Sequence, residues 1–331
     1  MHVFYLGNTL NVLKHLPEKS VQCCPTSPPY FGLRDYGLPA TNWPEIEYTP
    51  MAGLPTVNVP AWSGCLGLEP TPELYIAHMV LIFREVWRVL RDDGTCFLNI
   101  GDSYARSGGT QGGGNRELLH LEGKQKRMCK IPAGELKTKD LLGIPWRLAF
   151  ALQAEGWYLR SDIIWEKPNA MPESVKDRPT KSHEYLFLLA KSEKYYYDTE
   201  AIKEPCKYDN SWSASDTKTA VGQGGKHGKT SISKKRWEGN GKKNKRTVWS
   251  IPTKPFKGAH YAVFPPDLIE PCILAGSKQG DTVLDPFGGS GTVAMKCNEL
   301  GRDSIYIDMS PNYLGDALRR GKYSPAEYDI L

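Results

Sequence analysis

Apolar residues at Ile76, Val80, Phe83, Trp87 and Leu90 are spaced by four, three, four and three positions. That spacing is one face of a helix and predicts a helix over 72–91, closed by Asp92-Asp93-Gly94. The mostly apolar run 95–100 reads as a strand that stops at Gly101-Asp102. Similar short runs predict strands at 21–24, 158–165, 185–189, 282–284 and 304–307. Helical patterns cover 11–15, 145–154, 266–275 and the stretch from the glycine turn to about 300, and a last helix begins at Pro311. The residues before Asn11 read as a turn. Alternating strands and helices predict an α/β fold, a doubly wound and mostly parallel sheet covered on both faces. Residues 38–70, rich in Pro, Gly and Trp, read as a long irregular insert, and 107–140, Gly-rich and then basic, as a surface loop. No internal repeat is visible.

The 331 residues are 40% hydrophobic, enough for a sizeable core, and no run is long enough to span a bilayer. The N-terminal residues lack the pattern of a secretory signal, so a cytoplasmic location is expected. Eight cysteines include no C-x-x-C pair and no zinc-type spacing; they read as free thiols, and no metal is expected. The net charge of +5 is unevenly spread. Residues 203–250 hold twelve Lys/Arg and four Asp/Glu, a net of +8, leaving −3 elsewhere. That segment is either a solvated insert or an arm that contacts phosphates.

Candidate chemistry concentrates in two loops. After the 282–284 strand, Gly289, Gly291 and Ala294 fit G-x-G-x-x-A, and Asp308 follows Gly289 by 19 residues. Asp285 precedes the turn, and a carboxylate there would repel a pyrophosphate. It favours a ligand with a positive charge such as S-adenosyl-L-methionine, with NAD or a plain structural turn as alternatives. The second loop, Thr26-Ser27-Pro28-Pro29-Tyr30, leaves the 21–24 strand. In an open α/β sheet both loops would face one crevice at the carboxyl ends of the strands. An exocyclic base amine is a weak nucleophile because its lone pair is delocalised. Acceptors on its two N–H bonds, the Ser27 hydroxyl and the Pro28 carbonyl, favour a tetrahedral nitrogen and expose that pair, while Tyr30 stacks on a flipped base.

These stretches resemble the motifs of the site-specific DNA amino-methyltransferases that act on N4 of cytosine or N6 of adenine. TSPPY is similar to their motif IV, DPFGGSGT to motif I and HYAVFPPDLI, over 260–269, to motif X. Motif IV comes first and motif I last, the permuted order of the β group. The resemblance implies a class I adenosylmethionine-dependent methyltransferase with a Rossmann-like sheet. It implies a catalytic domain in two parts, 1–202 and 251–331, around a target-recognition region at 203–250, which tips the basic segment toward the DNA-contacting reading. Ser27, Pro28, Pro29 and Tyr30 would hold the target base. Asn8, Thr26, Phe264, Asp285, Phe287, Gly288, Gly289, Ser290, Gly291, Thr292 and Asp308 would hold the cofactor, Asn8 standing where the family usually has an acid. Lys167, Lys234, Lys235, Arg236, Lys242, Lys243, Lys245 and Arg246 would contact duplex DNA. A cognate restriction endonuclease is the implied functional partner, and a monomer or homodimer the implied state, in a bacterial, archaeal or phage setting.

A neutral Ser at the head of the loop points to cytosine N4, with adenine N6 as the alternative; an RNA substrate and an inactive DNA-binding relative are remoter ones. Carbon-5 methylation is disfavoured, because it needs a Pro-Cys step and here Cys24 precedes Pro25. Lys167, Arg178, His183 and Glu184 could form an acid–base set but are expected to pair among themselves or with phosphates. Asp102 either faces the base pocket or caps the turn after it.

Overall fold

The computed structural model describes residues 1–105, 136–206, 241–254, 264–323 and 328–331. They divide into two units, Met1–Asp198 with Thr247–Leu331, and Thr199–Arg246. The first unit opens with β1 (His2–Leu6), α1 (Thr9–His15) and β2 (Val21–Thr26). A segment of four short strands follows: β3 (Thr41–Trp43), β4 (Ile46–Tyr48), β5 (Val57–Val59) and β6 (Trp62–Gly64). Then come α2 (Pro72–Val89), β7 (Leu90–Ile100), α3 (Ile144–Ala154), β8 (Tyr158–Glu166) and β9 (His183–Ala190). The second unit contributes an antiparallel pair, β10 (Glu204–Pro205) with β11 (Lys242–Lys243). The first unit resumes with β12 (Val248–Ser250), α4 (Pro266–Gly276), β13 (Thr282–Asp285), α5 (Thr292–Leu300), β14 (Asp303–Asp308), α6 (Pro311–Gly321) and β15 (Tyr328–Ile330).

Nine strands form one sheet in the order β12-β8-β9-β7-β2-β13-β14-β1-β15. Every neighbouring pair is parallel except the two made by β9, which runs antiparallel to β8 and β7. Such a sheet is buried on both faces, and β2 shows it: all six of its residues are buried. No helix among the described residues is long and apolar enough to cross a membrane.

The helix predicted over 72–91 begins where Thr71 caps it, its hydroxyl accepting from the Leu74 N–H at 3.2 Å. Ile76, Val80 and Phe83 are buried as the periodicity requires. Two positions differ. Leu90 already belongs to β7, which starts without the expected break at 92–94. Trp87 is 40% exposed, with the Lys191 ammonium 4.2 Å from its ring centroid. Residues 2–6 form a strand rather than a turn, because their partner β14 lies some 300 residues away in the chain.

The 38–70 insert is ordered rather than irregular. β3 pairs with β6 and β4 with β5, and Trp43, Ile46, Tyr48 and Val59 are buried. At its base the His78 ring stacks on Trp43, with centroids 4.2 Å apart, and shares a 2.8 Å hydrogen bond with Glu69. The other Glu69 oxygen accepts from the Gly67 N–H at 2.7 Å, and the Gly67 carbonyl accepts from the Gly32 N–H at 2.7 Å. A buried carboxylate thus ties the insert to the loop that follows β2. Glu69→Ala leaves the Gly67 N–H and the His78 ring unpaired. The expected loss is about 3 kcal/mol, on the scale of two buried unsatisfied groups, read as a lower urea midpoint.

Candidate active site

The strand order turns at β2 and β13: from β13 the chain builds toward β14 and β1, from β2 toward β7 and β9. Ligands of open α/β sheets bind at such a point, beyond the carboxyl ends of the strands. The β2–β13 ladder is a single register pair, Cys23 with Val283. Two residues on, Pro25 has no N–H to extend it. The Thr26 hydroxyl spans the gap instead, donating to Asp285 Oδ1 at 2.7 Å. The strands part where the two candidate loops begin.

A cleft of about 1030 Å³ of empty space, partly open to solvent, lies there. Ser27, Pro28, Pro29 and Tyr30 line it from the end of β2, Asn8 and Thr9 from the start of α1, and Phe287 and Asp308 from the ends of β13 and β14. Its remaining wall includes Arg34, Tyr36, Thr41 and Trp43, residues that the sequence pattern did not single out.

The Pro-Pro-Tyr loop is held from behind. Tyr75 donates to the Pro29 carbonyl at 2.8 Å. The Tyr30 hydroxyl donates to Glu184 at 2.7 Å and sits 3.2 Å from the Asn99 amide oxygen. Burial, reinforced by the Glu184 charge, pushes the Tyr30 phenol well above its usual range, so it stays a donor. Ser27 bonds weakly to that hydroxyl, at 3.3 Å, and keeps acceptor capacity. No described group donates to the Pro28 carbonyl. Glu184 also pairs with Lys167, whose ammonium lies 4.2 Å from the Trp165 ring centroid. Arg178 bonds Glu173 at 2.7 Å and covers the Tyr104 ring. Lys167 and Glu184 therefore serve each other, Arg178 stands apart from both, and His183 is held below its ordinary range by burial and the Lys181 charge. Asp102 accepts the Ser103, Gly143 and Ile144 N–H groups at 2.9–3.1 Å, so it caps α3.

The glycine turn is built for close approach. A Cβ on Gly288 would collide with the Tyr306 ring, and Gly291, at φ +74°, leaves no room against Ala317. Gly288→Ala is expected to weaken donor binding at least tenfold, measured by calorimetry, by pushing the turn off Tyr306. The Gly289 N–H donates to Asp308 Oδ2 at 2.9 Å and the Ser310 N–H to Oδ1 at 2.8 Å. Burial still lifts Asp308 to about 6. Ser290 and Thr292 face inward, their hydroxyls 2.6 and 2.9 Å from Arg320. Asp285 is 2% exposed, and burial raises it to about 7. Thr26 and the Phe287 N–H occupy Oδ1, while Oδ2 is buried without a partner.

Asn8 caps α1, accepting from the Asn11 N–H at 3.2 Å, and its amide donates to Thr41 at 2.9 Å. Phe264 is half-buried just before α4 and is not among the residues that line the cleft, and residues 260–263 of the motif X match lie outside the described residues. Lys234, Lys235 and Arg236 also lie outside them. In the second unit Lys243 and Arg246 pair with Glu204, at 3.5 and 2.6 Å, Lys242 is exposed and Lys245 half-buried. Val248–Ser250, counted with the basic segment on composition, is an edge strand of the large sheet. Cys24 is fully buried within β2, with its thiol pushed well above its usual range, as expected of a structural cysteine.

A partnerless carboxylate oxygen beside a glycine turn, a second acid at the end of the next strand and a partly unengaged acceptor pair on a rigid loop fit a cationic nucleoside donor facing a base amine. Comparison with known proteins agrees. The family model for DNA methylases, the N6/N4 group, matches residues 21–319. The chain is 45% identical to the type II methyltransferase M.Cfr9I of Citrobacter freundii, over 95% of this chain and 85% of that one. It is 44% identical to the type II methyltransferase M.SmaI of Serratia marcescens, over 95% and 89%. Among solved structures, the cytosine-N4-specific PvuII DNA methyltransferase matches with a TM-score of 0.60 at 18% identity, over 97% of this chain and 86% of that one. TTHA0409 of Thermus thermophilus, solved with S-adenosyl-L-methionine, matches at 0.57 and 18% identity, over 100% and 98%. The chain belongs to the DNA methylase family, the S-adenosyl-L-methionine-dependent amino-methyltransferases of DNA.

Proposed function

We propose that this enzyme methylates N4 of a cytosine flipped out of duplex DNA. The observation that carries the reading is the acceptor pair at the end of β2, the Ser27 hydroxyl and the Pro28 carbonyl, on a loop fixed by Tyr75 and Glu184. Both acceptors are neutral, and an uncharged Ser suits the amine and ring nitrogen of cytosine. Bound S-adenosyl-L-methionine supplies an electrophilic methyl group on a sulfonium. Asp285 would hold its ammonium through Oδ2, and Asp308 would accept from its ribose hydroxyls. Phe287 and the turn through Gly288–Gly291 would enclose its methionine part, with Asn8 near the adenine.

The Ser27 Oγ and Pro28 carbonyl each accept one N–H of the target amine and make its lone pair available. Tyr30, anchored by its hydroxyl, offers a fixed ring for the base to stack on, worth roughly 1–3 kcal/mol. That offsets part of the few kcal/mol needed to unstack and unpair the base. No side chain has to act as base before transfer, since the methylated nitrogen loses its proton to solvent afterwards. The base is identified by nucleoside analysis of methylated DNA.

The segment 203–250 is proposed to bind the duplex. Neutralising Lys234, Lys235 and Arg236 together should weaken duplex binding and lower the slope of log K against log salt by up to about three. An unchanged slope in a salt titration would take these residues out of the interface.

A further inference from the structure

Arg34 lies four residues beyond Tyr30 and lines the same cleft. Among the described residues, none pairs with its guanidinium, and its Nη1 is shut off from solvent with no acceptor. A guanidinium is always charged and presents a fork of donors matched to a planar oxyanion. Leaving such a donor buried and unpaired is costly, so its presence calls for an acceptor that arrives with a ligand. Among the described residues, none supplies that acceptor. Burial holds the Tyr36 phenol above its usual range, with the Arg34 charge opposing the shift and Asp308 adding to it. Asp308 accepts one N–H bond on each oxygen, from Gly289 and Ser310, and no ion pair joins it to Arg34. The cleft wall thus holds a shielded donor without a partner, Arg34 Nη1, and the end of β13 separately holds a buried acceptor without one, Asp285 Oδ2. A ligand that brings an oxyanion into the cleft would supply the acceptor that Arg34 lacks.

We propose that Arg34 binds an oxyanion in the cleft, the carboxylate of S-adenosyl-L-methionine, with a phosphate beside the target base as the other source of the same chemistry. The inference rests on the assignment of this cleft to the methyl donor. The test is calorimetric titration of the full chain, without DNA, with S-adenosyl-L-methionine and with its decarboxylated analogue. Wild type should bind the intact donor about ten- to a hundredfold more tightly than the analogue, the usual range for a charge-assisted pair. Arg34→Gln should lose that preference and leave the analogue's affinity unchanged; Arg34→Lys should keep part of it. If donor affinity holds in Arg34→Gln but duplex affinity falls, with a salt slope lower by about one, phosphate is the source. Unchanged binding of donor and duplex would overturn the proposal. So would a ligand-free variant that melts well below wild type, since that marks a fold contact. A wild type that binds no donor at all would overturn the assignment of the cleft, and this inference with it.

Discussion

Replacing Ser27 by alanine should leave S-adenosyl-L-methionine binding unchanged and cut methyl transfer about a hundredfold or more. The side chain makes one weak hydrogen bond, 3.3 Å to the Tyr30 hydroxyl, so the fold does not depend on it. What the variant loses is an acceptor aimed at an amine whose charge changes as the new bond forms. Loss of one such preorganised hydrogen-bonding group typically costs 10²–10³ in rate. The loss should fall on kcat rather than on KM for the donor, because the contact strengthens only as the nitrogen becomes tetrahedral. Single-turnover kinetics with saturating donor measures this. Full activity in Ser27→Ala would remove the Ser27–Pro28 cradle from the mechanism.

Asp285→Asn should abolish most of the donor affinity. Removing one charge of a buried pair costs about 2–5 kcal/mol, so the dissociation constant should rise at least thirtyfold. The wild-type site also predicts a pH dependence. Burial raises Asp285 from 3.8 to about 7, Thr26 and the Phe287 N–H pull it back, and Asp308 pushes it up further. An acid lifted above its unfolded value binds its proton longer in the folded chain. Stability therefore falls as pH rises from 3.8 to about 7. A cationic ammonium against Oδ2 favours the ionised carboxylate. Donor affinity should then increase between about pH 5.5 and pH 7, and binding near pH 6 should release close to one proton. Calorimetry in buffers of different ionisation enthalpy measures that proton. In Asp285→Asn the pH dependence should flatten to what Asp308 leaves, since Asp308, at about 6, titrates in the same window.

The parts of the fold legible in the sequence are those set by local pattern. The 282–308 stretch holds a strand, a glycine turn, a helix and a second strand in one run, each with its own signal, and β13, α5 and β14 follow it closely. The α2 face was readable because burial of Ile76, Val80 and Phe83 repeats at the helical period. β1 was not, because five residues ending at a glycine carry no sign that they pair with a strand at the far end of the chain. The order of the 38–70 insert was hidden for a different reason. It depends on Trp43 stacking on a histidine in α2 and on Glu69 reaching back to Gly67, contacts that no periodicity announces.

Within the site, Ser27–Tyr30, Asp285 and Asp308 were legible because each sits at the end of a strand, where motif and topology coincide. Asp102 also ends a strand, but its carboxylate turns to the N–H groups that start α3, and spacing could not decide between capping and the pocket. Arg34 and Tyr36 line the cleft but stand outside both the Thr26–Tyr30 loop and the glycine turn that carry the candidate chemistry. The signal that finds Arg34 is electrostatic rather than sequential: a shielded donor with nothing to bind.

The most direct test of the account is to incubate unmodified genomic DNA with the protein and methyl-labelled S-adenosyl-L-methionine, digest to nucleosides and identify the labelled base by mass spectrometry. The account predicts label in N4-methylcytosine. Label in N6-methyladenine would contradict the inference from the neutral Ser27, and DNA without label would contradict the proposed methyl transfer itself.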